Sequence, residues 1–434
     1  MLQRGGKKLI NAWAFYDWAN SVYSLVISTA VFPIYYAAVT KDDNGVVHFL
    51  GTDWYNTTLY SYALGFSFFI VALLSPILSS IADYTGNKKR FMQFFCLMGS
   101  VSVGMLFFFE GKDTLWIGIV FTVLASIGFW SSLVFYNAYL PEIALPEQQD
   151  RVSAKGFMYG YIGSVLLLGF NLSMVMKPEI YGISEGTLPS RISFVMVAIW
   201  WLGFAQFTFK RLPNNVYHKK PEKDYIFKGV RALKGIVNDI KKQHELKIFL
   251  ISFFVYSIGV QSVILLASIY FSKDLNLETS DLIITILIMQ LVGIVGAYSF
   301  SRLSDRIGNI KALKITIVIW AISCFAGYLL DKGDPSLLLK VYALGGLLGL
   351  VLGAIQSLSR STYSKLLPDN TESHATYFSF FDVTEKIAIV VGMIISGIVA
   401  SYTSSLKLFI LILGGFFIIG FIILSFMNRT KYVK

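Results

Sequence analysis

The sequence predicts an all-α integral membrane protein whose 12 transmembrane helices form two six-helix bundles. Its 434 residues are 55% hydrophobic and only 15% charged, which is far more apolar than an ordinary soluble domain. The apolar segments are continuous runs without period-two alternation, so an outer-membrane β-barrel is disfavoured. A basic segment from about Leu212 to Leu246 separates the first six apolar segments from the second six.

Twelve segments are long enough to cross a bilayer, which requires roughly 20 apolar residues per helix. The predicted spans are residues 9–39, 56–82, 91–109, 115–140, 153–176, 191–210, 247–272, 281–302, 312–330, 337–364, 377–400 and 406–427. The first is too long for a signal peptide and precedes no small-residue cleavage pattern, so we expect it to be retained. The predicted domains are an N-terminal six-helix bundle (1–211), a cytoplasmic basic linker (212–246) and a C-terminal six-helix bundle (247–434).

The distribution of Lys and Arg predicts the orientation. If both termini are cytoplasmic, most of the 37 basic residues fall on the cytoplasmic side, as the positive-inside rule requires. The same bias explains the net charge of +11, because basic loops are attracted to anionic membrane lipid. We therefore expect a monomer in a bacterial cytoplasmic membrane, with lipid but no nucleic acid as a partner. A vacuolar membrane is the alternative.

The two halves carry the same short motifs in the same order. The chain reads SSIADYTGNKKR (79–90) after span 2 and SRLSDRIGNIKA (301–312) after span 8. Span 4 ends with NAYLPE (137–142), and span 10 ends with SKLLPD (364–369). Two landmarks at similar spacing indicate duplicated six-helix halves, an arrangement typical of secondary transporters.

The repeated loop resembles the signature loop of the major facilitator superfamily, Gly-x-x-x-Asp-x-x-Gly-Arg-Lys/Arg. Ser79 and Ser301 replace the leading Gly, and Asn87 and Asn309 replace the first basic residue. The resemblance implies the major facilitator fold, in which this Asp braces the cytoplasmic gate. It assigns to gating the residues Asp83, Lys88, Lys89, Arg90, Asp305 and Arg306. We expect each Asp to accept hydrogen bonds from a helix N-terminus or a basic side chain only when the gate is shut. A solvated turn explains the basic residues equally well, but it does not explain the recurring Asp.

Three longer stretches carry a closer resemblance. They are FYDWANSVYSLVISTAVFPIYY (15–36), VFYNAYLPEIALPEQQDRVSAKGFMYGYIGSVLLL (134–168) and GAIQSLSRSTYSKLLPDNTESHATYFSFFDVTEKIAIVVG (353–392). They resemble the vacuole effluxer branch of the superfamily, the autophagy-related-protein-twenty-two-like proteins. The resemblance implies a transporter, and fungal members are implicated in amino acid export from the vacuole.

Span 1 carries a polar stripe. Asp17, Asn20, Ser21, Ser24 and Ser28 fall at i, i+3, i+4, i+7 and i+11, which places them on one helical face. A charge near the bilayer centre costs roughly 2.5–3.5 kcal/mol on insertion scales, so it is kept mainly where it serves a pathway or has a partner. We predict that Asp17, Asn20 and Ser24 belong to the substrate or proton pathway. The alternative is a structural pair between Asp17 and a basic residue on a neighbouring helix.

Span 11 carries three charged residues, Asp382, Glu385 and Lys386. Asp382 and Lys386 are related as i and i+4, so they can neutralise each other on one face. Glu385 is then uncompensated, and an isolated membrane carboxylate relieves its desolvation by taking up a proton, as a proton-coupled carrier requires. The alternative partner of Glu385 is Arg360 in span 10.

Span 10 contains QSLSRS, which puts Gln356 and Arg360 near the cytoplasmic end of the bilayer. If Arg360 faces the cavity, its guanidinium can bind a substrate carboxylate bidentately. Snorkelling to the cytoplasmic headgroups is the alternative. Further candidates for the pathway, with helix-packing hydrogen bonds as the alternative, are Tyr136, Asn137 and Gln261.

Glu142 follows Pro141 at the predicted cytoplasmic mouth, so we assign it to gating.

The four His residues, at positions 48, 218, 244 and 374, form no metal-ligand cluster. Neither a nucleophile elbow nor a phosphate-binding glycine loop occurs. The sequence therefore predicts no enzyme, no metal and no cofactor.

Together these features predict a secondary active transporter that moves a small polar solute, an amino acid or a similar compound, by alternating access. We expect proton coupling and export. A lipid or lysolipid flippase on the same fold and a non-transporting membrane receptor are the alternatives. The polar residues of spans 1, 10 and 11 count against both.

Overall fold

The computed structural model describes residues 4–40, 45–184, 186–217, 219, 224–403 and 405–427. Within these residues, twelve helices are long and apolar enough to span a membrane, one for each predicted span. Their bounds are Lys7–Val39, Asn56–Thr85, Lys88–Phe108, Lys112–Ile143, Pro146–Met176, Leu188–Arg211, His244–Lys273, Thr279–Ile307, Asn309–Tyr328, Leu337–Leu366, His374–Thr403 and Lys407–Ser425. The largest difference from prediction is the start of span 5, because its first turns around Asp150 are too polar to be recognised as a span.

Span 1 changes its helical geometry midway. It is α-helical over Lys7–Val22, π-helical over Tyr23–Ala30 and α-helical again over Val31–Val39. The wider π-helical turns are typical of functional sites. Here the Thr29 hydroxyl donates to the carbonyl oxygen of Ser24 at 2.9 Å. The polar stripe predicted for an ordinary helix continues through this segment, and Ser24 and Ser28 face the cavity described below.

Several shorter elements connect or complete the spans. Span 4 is α-helical over Leu115–Asn137 and resumes as the short helix Leu140–Ile143. Single 3₁₀ turns are formed by Leu106–Phe108, Lys112–Thr114, Pro146–Gln148 and Pro178–Tyr181. Two elements were not predicted. One is an antiparallel hairpin of β1 (Val46–Phe49) and β2 (Thr52–Tyr55) after span 1, and the other is a helix at Tyr225–Lys242 inside the predicted linker. We call the latter the linker helix.

The two halves meet mainly through spans 2, 4, 5, 8, 10 and 11. Span 2 packs against span 11, and span 5 packs against spans 8 and 10. We call the end of the molecule that carries Asp83, Glu142 and Asp305 the Asp83 end. Because successive spans alternate in direction, the β-hairpin lies at the opposite end.

Spans 8 and 10 approach each other closely at glycines. A Cβ atom at Gly353 would collide with the backbone of Gly293, and a Cβ atom at Gly349 would collide with the backbone of Met289. Small residues allow such close contact between helices in membranes, where packing rather than hydrophobic burial drives association.

Replacing Gly353 with Ala is expected to destabilise the protein by about 1–3 kcal/mol, because the added methyl group overpacks this contact. The matched control is Gly169→Ala in span 5, where a Cβ atom meets no atom of the described residues within 4 Å. Thermal unfolding of the purified variants checks the prediction. Equal melting temperatures for the two variants would contradict it.

Candidate functional site

A cavity of about 270 Å³ lies between the two halves. It is lined by eight of the residues predicted for the pathway, namely Asp17, Asn20, Ser24, Asn137, Gln261, Gln356, Arg360 and Glu385. The other three lie behind the lining. Tyr136 contacts Asp17 and Lys386 contacts Glu385, whereas Asp382 contacts Lys386. Sequence reasoning missed Ser257 and Gln290, which also line the cavity. Gln290 could have been found as an isolated amide within an apolar run.

The cavity runs from the middle of the molecule toward the end opposite the Asp83 end. Its lining includes Phe271 and Leu282, which lie close to the end of span 7 at Lys273 and the start of span 8 at Thr279. Arg360 lines its other extremity. The arrangement is that of a central cavity directed toward the end opposite the Asp83 end.

Arg360 and Asp17 join the two halves at the inner extremity of the cavity. Nη1 of Arg360 lies 3.4 Å from Oδ2 of Asp17, and it donates to Oδ1 of Asn137 at 3.2 Å. The guanidinium also donates to the Ser153 carbonyl oxygen at 2.7 Å and to the Ser153 hydroxyl at 2.9 Å. The Tyr136 hydroxyl donates to Oδ2 of Asp17 at 2.8 Å. Each charge is therefore held by groups from more than one span.

The environment of Arg360 decides between the two interpretations of this residue. Its guanidinium carbon lies 4.9 Å from the ring centroid of Trp13 and 4.2 Å from that of Phe157. The residue is only 3% exposed. The snorkelling interpretation is therefore wrong for this conformation, because the side chain turns into the protein, where Asp17 and the aromatic rings compensate its charge.

The charges of span 11 form a second cluster. Nζ of Lys386 lies 3.1 Å from Oδ1 of Asp382 and 3.1 Å from Oε2 of Glu385, so the predicted i, i+4 pair is confirmed. It also lies 3.5 Å from the ring centroid of Trp130 in the other half. Gln261 donates to Oε1 of Glu385 at 2.7 Å. The expectation of an uncompensated Glu385, or of one paired with Arg360, is wrong because the long Lys386 side chain reaches both carboxylates.

The two clusters do not balance in charge. Asp17, Asp382 and Glu385 supply the carboxylates, whereas Arg360 and Lys386 supply the cations. This set therefore has one more carboxylate than cation. Within the described residues, Oδ2 of Asp382 is buried without a hydrogen-bond partner. A buried excess charge of this kind is expensive unless a proton or a cationic ligand balances it.

At the Asp83 end, Asp83 binds the N-terminus of span 11 from the other half. Its carboxylate accepts from the backbone N–H groups of Ala375 at 3.2 Å and Thr376 at 2.7 Å, and from the Thr376 hydroxyl at 2.8 Å. A helix N-terminus presents unpaired N–H groups and a partial positive charge, so it favours a carboxylate. The bond is of the kind the sequence predicted, but its partner could not be named.

Beside Asp83, Glu142 is buried in an ion pair with Lys88 and lies 3.2 Å from Nδ1 of His374, a residue of the other half. The ammonium of Lys88 also lies 4.5 Å from the ring centroid of Tyr139. Burial and the nearby Glu142 charge raise the pKa of the Tyr217 hydroxyl, which lies 3.2 Å from Nδ1 of His374. Lys88 and Glu142 are thus brought together at the contact between the halves.

The other predicted gating cations behave differently. Nζ of Lys89 donates to the carbonyl oxygen of Leu212 at 2.8 Å, which ties span 3 to the end of span 6. Arg90 and Arg306 are exposed. Both positions agree with the alternative of a solvated, basic turn.

Asp305, like Asp83, contacts the other half, but with a different partner. Its Oδ2 atom accepts from Nε of Arg151, at the start of span 5, at 2.6 Å. Next to it, Asp150 accepts from Ser304 at 2.9 Å, from Asn309 at 2.7 Å and from Lys365 at 2.8 Å. Sequence reasoning missed this buried cluster. The repeat could have indicated it, because the start of span 5 should face the Asp305 loop as the start of span 11 faces the Asp83 loop.

Replacing Asp83 with Asn is expected to slow transport more than it changes the equilibrium affinity for substrate. The Asn variant keeps one acceptor oxygen but loses the charge at the helix N-terminus. Hydrogen bonds to charged groups contribute about 1.5–3 kcal/mol, which corresponds to roughly a tenfold or larger shift between open and closed states. Spin labels at the exposed positions 147 and 370, on opposite halves, report this shift as a longer distance.

The control for Asp83→Asn is Asp113→Asn, which changes an exposed carboxylate at the opposite end. It should alter neither flux nor the distance between the labels. If Asp83→Asn and Asp305→Asn both left flux unchanged, the assignment of these residues to gating would be wrong.

Among the described residues, which do not include His218, no group of three or more His, Cys, Asp or Glu could hold a metal ion. Cys96 and Cys324 are buried and unpaired. The charged cavity is therefore the site on which a functional argument rests.

Sequence comparison identifies relatives over the whole chain. A family model described as "Vacuole effluxer Atg22 like" matches residues 5–434. The MFS-type transporter YxiO of Bacillus subtilis (strain 168) is 33% identical over 422 residues, covering 96% of this chain and 94% of that protein. Autophagy-related protein 22-1 of Aspergillus clavatus is 25% identical over 471 residues, covering 88% of this chain and 74% of that protein.

Solved structures share the fold. The proton:xylose symporter XylE has a TM-score of 0.72 at 12% identity, with 98% of this chain and 97% of that chain covered. The transporter FucP, in an outward conformation, has a TM-score of 0.69 at 12% identity, with 98% of each chain covered. Relatives and fold are those of transporters and not of enzymes. The chain is a multi-pass membrane protein that belongs to the vacuole effluxer Atg22-like family of major facilitator transporters.

Proposed function

We propose that this transporter moves a small polar solute, of the amino acid class, by alternating access of its two halves. The observation that carries the proposal is a polar, charged cavity between the two halves. At the Asp83 end, the halves are joined by contacts from one to the other. A carrier needs such contacts to be breakable. Asp83 with the N-terminus of span 11, and Asp305 with Arg151, are contacts of this type because both cross between the halves.

The lining suits a zwitterion. Arg360, Asn137 and Gln356 offer hydrogen-bond donors for a carboxylate, whereas Glu385 offers an acceptor for an ammonium group. A substrate carboxylate would compete with Asp17 for Arg360. Substrate binding would then change the contact that joins spans 1 and 10. A lipid substrate would be served better by a cavity without these charges.

We infer proton coupling from the excess carboxylate. A proton on Asp17 or Glu385 would balance the charges of the two clusters. The free energy of that proton uptake would depend on which side of the membrane the cavity faces. Solved neighbours described as a proton:xylose symporter and a fucose:proton symporter support coupling as a property of this fold. Export is supported by the name of the family, a vacuole effluxer.

The sidedness is part of the proposal. The basic loops predict that the Asp83 end is cytoplasmic, so the cavity described above would face outward. Residues 1–211 and 247–434 would move as the two bundles, joined by the segment 212–246. The transporter would act as a monomer in a bacterial cytoplasmic membrane, with a vacuolar membrane as the alternative.

The test begins with a thermal-shift screen of amino acids, short peptides and sugars on the purified protein, because a specific ligand stabilises the state that it binds. A stabilising compound is then followed as radiolabel in proteoliposomes with an imposed pH gradient. We expect an amino acid to accumulate only while the gradient lasts. Stabilisation by sugars alone would contradict the substrate class. Accumulation driven by sodium at equal pH would contradict proton coupling.

A further inference from the structure

The linker helix, Tyr225–Lys242, packs along one face against the membrane-spanning part of the protein. Ser80 of span 2 donates a hydrogen bond to the carbonyl oxygen of Gly229, and a Cβ atom at Gly229 would lie only 3.0 Å from Cα of Ile81. Ile236 and Ile240 continue this face toward the buried core. The helix also contacts spans 7 and 11, so it crosses from one half to the other.

This contact places the linker helix near the end of span 2. Span 2 ends at Thr85, four residues after Ile81. At a rise of about 1.5 Å per residue, the contact lies roughly 6 Å inside the end of the span. Amphipathic helices at a membrane surface bury their apolar face to a depth of about 5–10 Å. The linker helix therefore lies beside the last two turns of span 2, next to the leaflet that surrounds this end of the span.

A second face of the linker helix is apolar, exposed and continued by basic residues. Ile226 and Val230 are 49% and 42% exposed, and they are four residues apart. Lys234 and Lys241 follow Val230 at i+4 and i+11, so all four residues share one face. Arg231 and Lys242 are exposed beside it. An apolar strip that leads into exposed cations complements acyl chains below anionic headgroups.

We propose that the linker helix is an interfacial helix that binds the anionic phospholipid of the adjacent leaflet. Ile226 and Val230 enter the upper acyl region, and Lys234 and Lys241 contact the headgroups. A soluble protein partner fits less well, because the apolar strip lies beside a membrane span, where acyl chains are the adjacent apolar phase.

The test uses the full chain in nanodiscs, with Cys96 and Cys324 replaced by Ala and a spin label at position 230. The measured quantity is the rate at which the label collides with a neutral, water-soluble nickel reagent. It is compared between phosphatidylglycerol and phosphatidylcholine discs. We expect the collision rate in phosphatidylglycerol discs to be about one fifth of that in phosphatidylcholine discs. Lys234→Gln combined with Lys241→Gln should remove this dependence, because each lost cation lowers the ratio of bound to free helix roughly fivefold. The control label at Ala232, exposed on the other side of the helix, should not respond.

Two outcomes would overturn the proposal. One is equal exposure of the label at position 230 in both kinds of disc, and the other is equal protection in both. Equal protection that persists in detergent would assign the face to a protein contact. Inorganic phosphate added to phosphatidylcholine discs should not reproduce the protection, and if it did, the site would be one for free phosphate.

Discussion

Replacing Arg360 with Lys is expected to lower transport about 100-fold although the positive charge is kept, because at least two charge-assisted hydrogen bonds are lost. The guanidinium simultaneously reaches Asp17, Asn137 and Ser153, from spans 1, 4 and 5. An ammonium group is a compact charge without a planar fork, so it cannot satisfy all three. The measurement is initial uptake in proteoliposomes, together with substrate binding to the purified variant.

The matched control is Arg302→Lys. Arg302 is an exposed residue of span 8 whose guanidinium lies over Tyr298. This variant should transport normally. Arg360→Gln serves as a second variant, because removing one partner of a buried ion pair costs about 3–5 kcal/mol and should lower the melting temperature as well. Normal binding and uptake in Arg360→Lys would show that the arginine acts only as a structural cation.

The sequence predicted the parts of the site that depend on local periodicity. Asp17, Asn20 and Ser24 share a helical face, and a charged face in a membrane must turn toward protein or water, so their place on the cavity followed from span 1 alone. The i, i+4 pair of Asp382 and Lys386 was predictable for the same reason. Neither prediction required knowledge of another span.

Contacts between distant spans could not be derived in this way. Asp17 and Arg360 are separated by 343 positions in the sequence, and nothing in either span identifies the other as its partner. Glu385 was misjudged because the reach of a flexible Lys386 side chain is not fixed by helical spacing. The buried cluster around Asp150 was missed because its polar turns were assigned to a loop.

The repeat provided the only long-range information. The Asp of the signature loop recurs in both halves, and the structure gives both residues partners on the opposite half. The partners differ, however, because span 11 begins with free N–H groups at Ala375 and Thr376, whereas span 5 presents the side chain of Arg151. A duplicated motif thus predicted where the contacts lie but not the chemistry of each one.

Asp17→Asn and Glu385→Gln are each expected to abolish accumulation driven by a pH gradient while leaving equilibrative exchange measurable. Either change makes the numbers of carboxylates and cations in the two charged clusters equal. Uptake of a proton is then no longer needed to balance their charge. The size of the effect is sufficient, because a difference of one pKa unit between the two states is worth about 1.4 kcal/mol, and a few such units shift a two-state carrier almost completely.

Asp382→Asn distinguishes proton uptake by Glu385 from the strongest alternative, which is proton uptake by Asp382. It makes the same change in charge, but Asp382 lies behind the lining, with Lys386 between it and the ring of Trp130. If cavity water delivers the proton, Glu385 must carry it, because Glu385 lines the cavity and Asp382 does not. Loss of accumulation in Asp382→Asn together with normal accumulation in Glu385→Gln would instead make Asp382 the proton carrier. Should Asp17→Asn and Glu385→Gln both still accumulate substrate against its gradient, proton coupling through this pair is ruled out, and the excess carboxylate must then be balanced by a cationic group of the substrate itself.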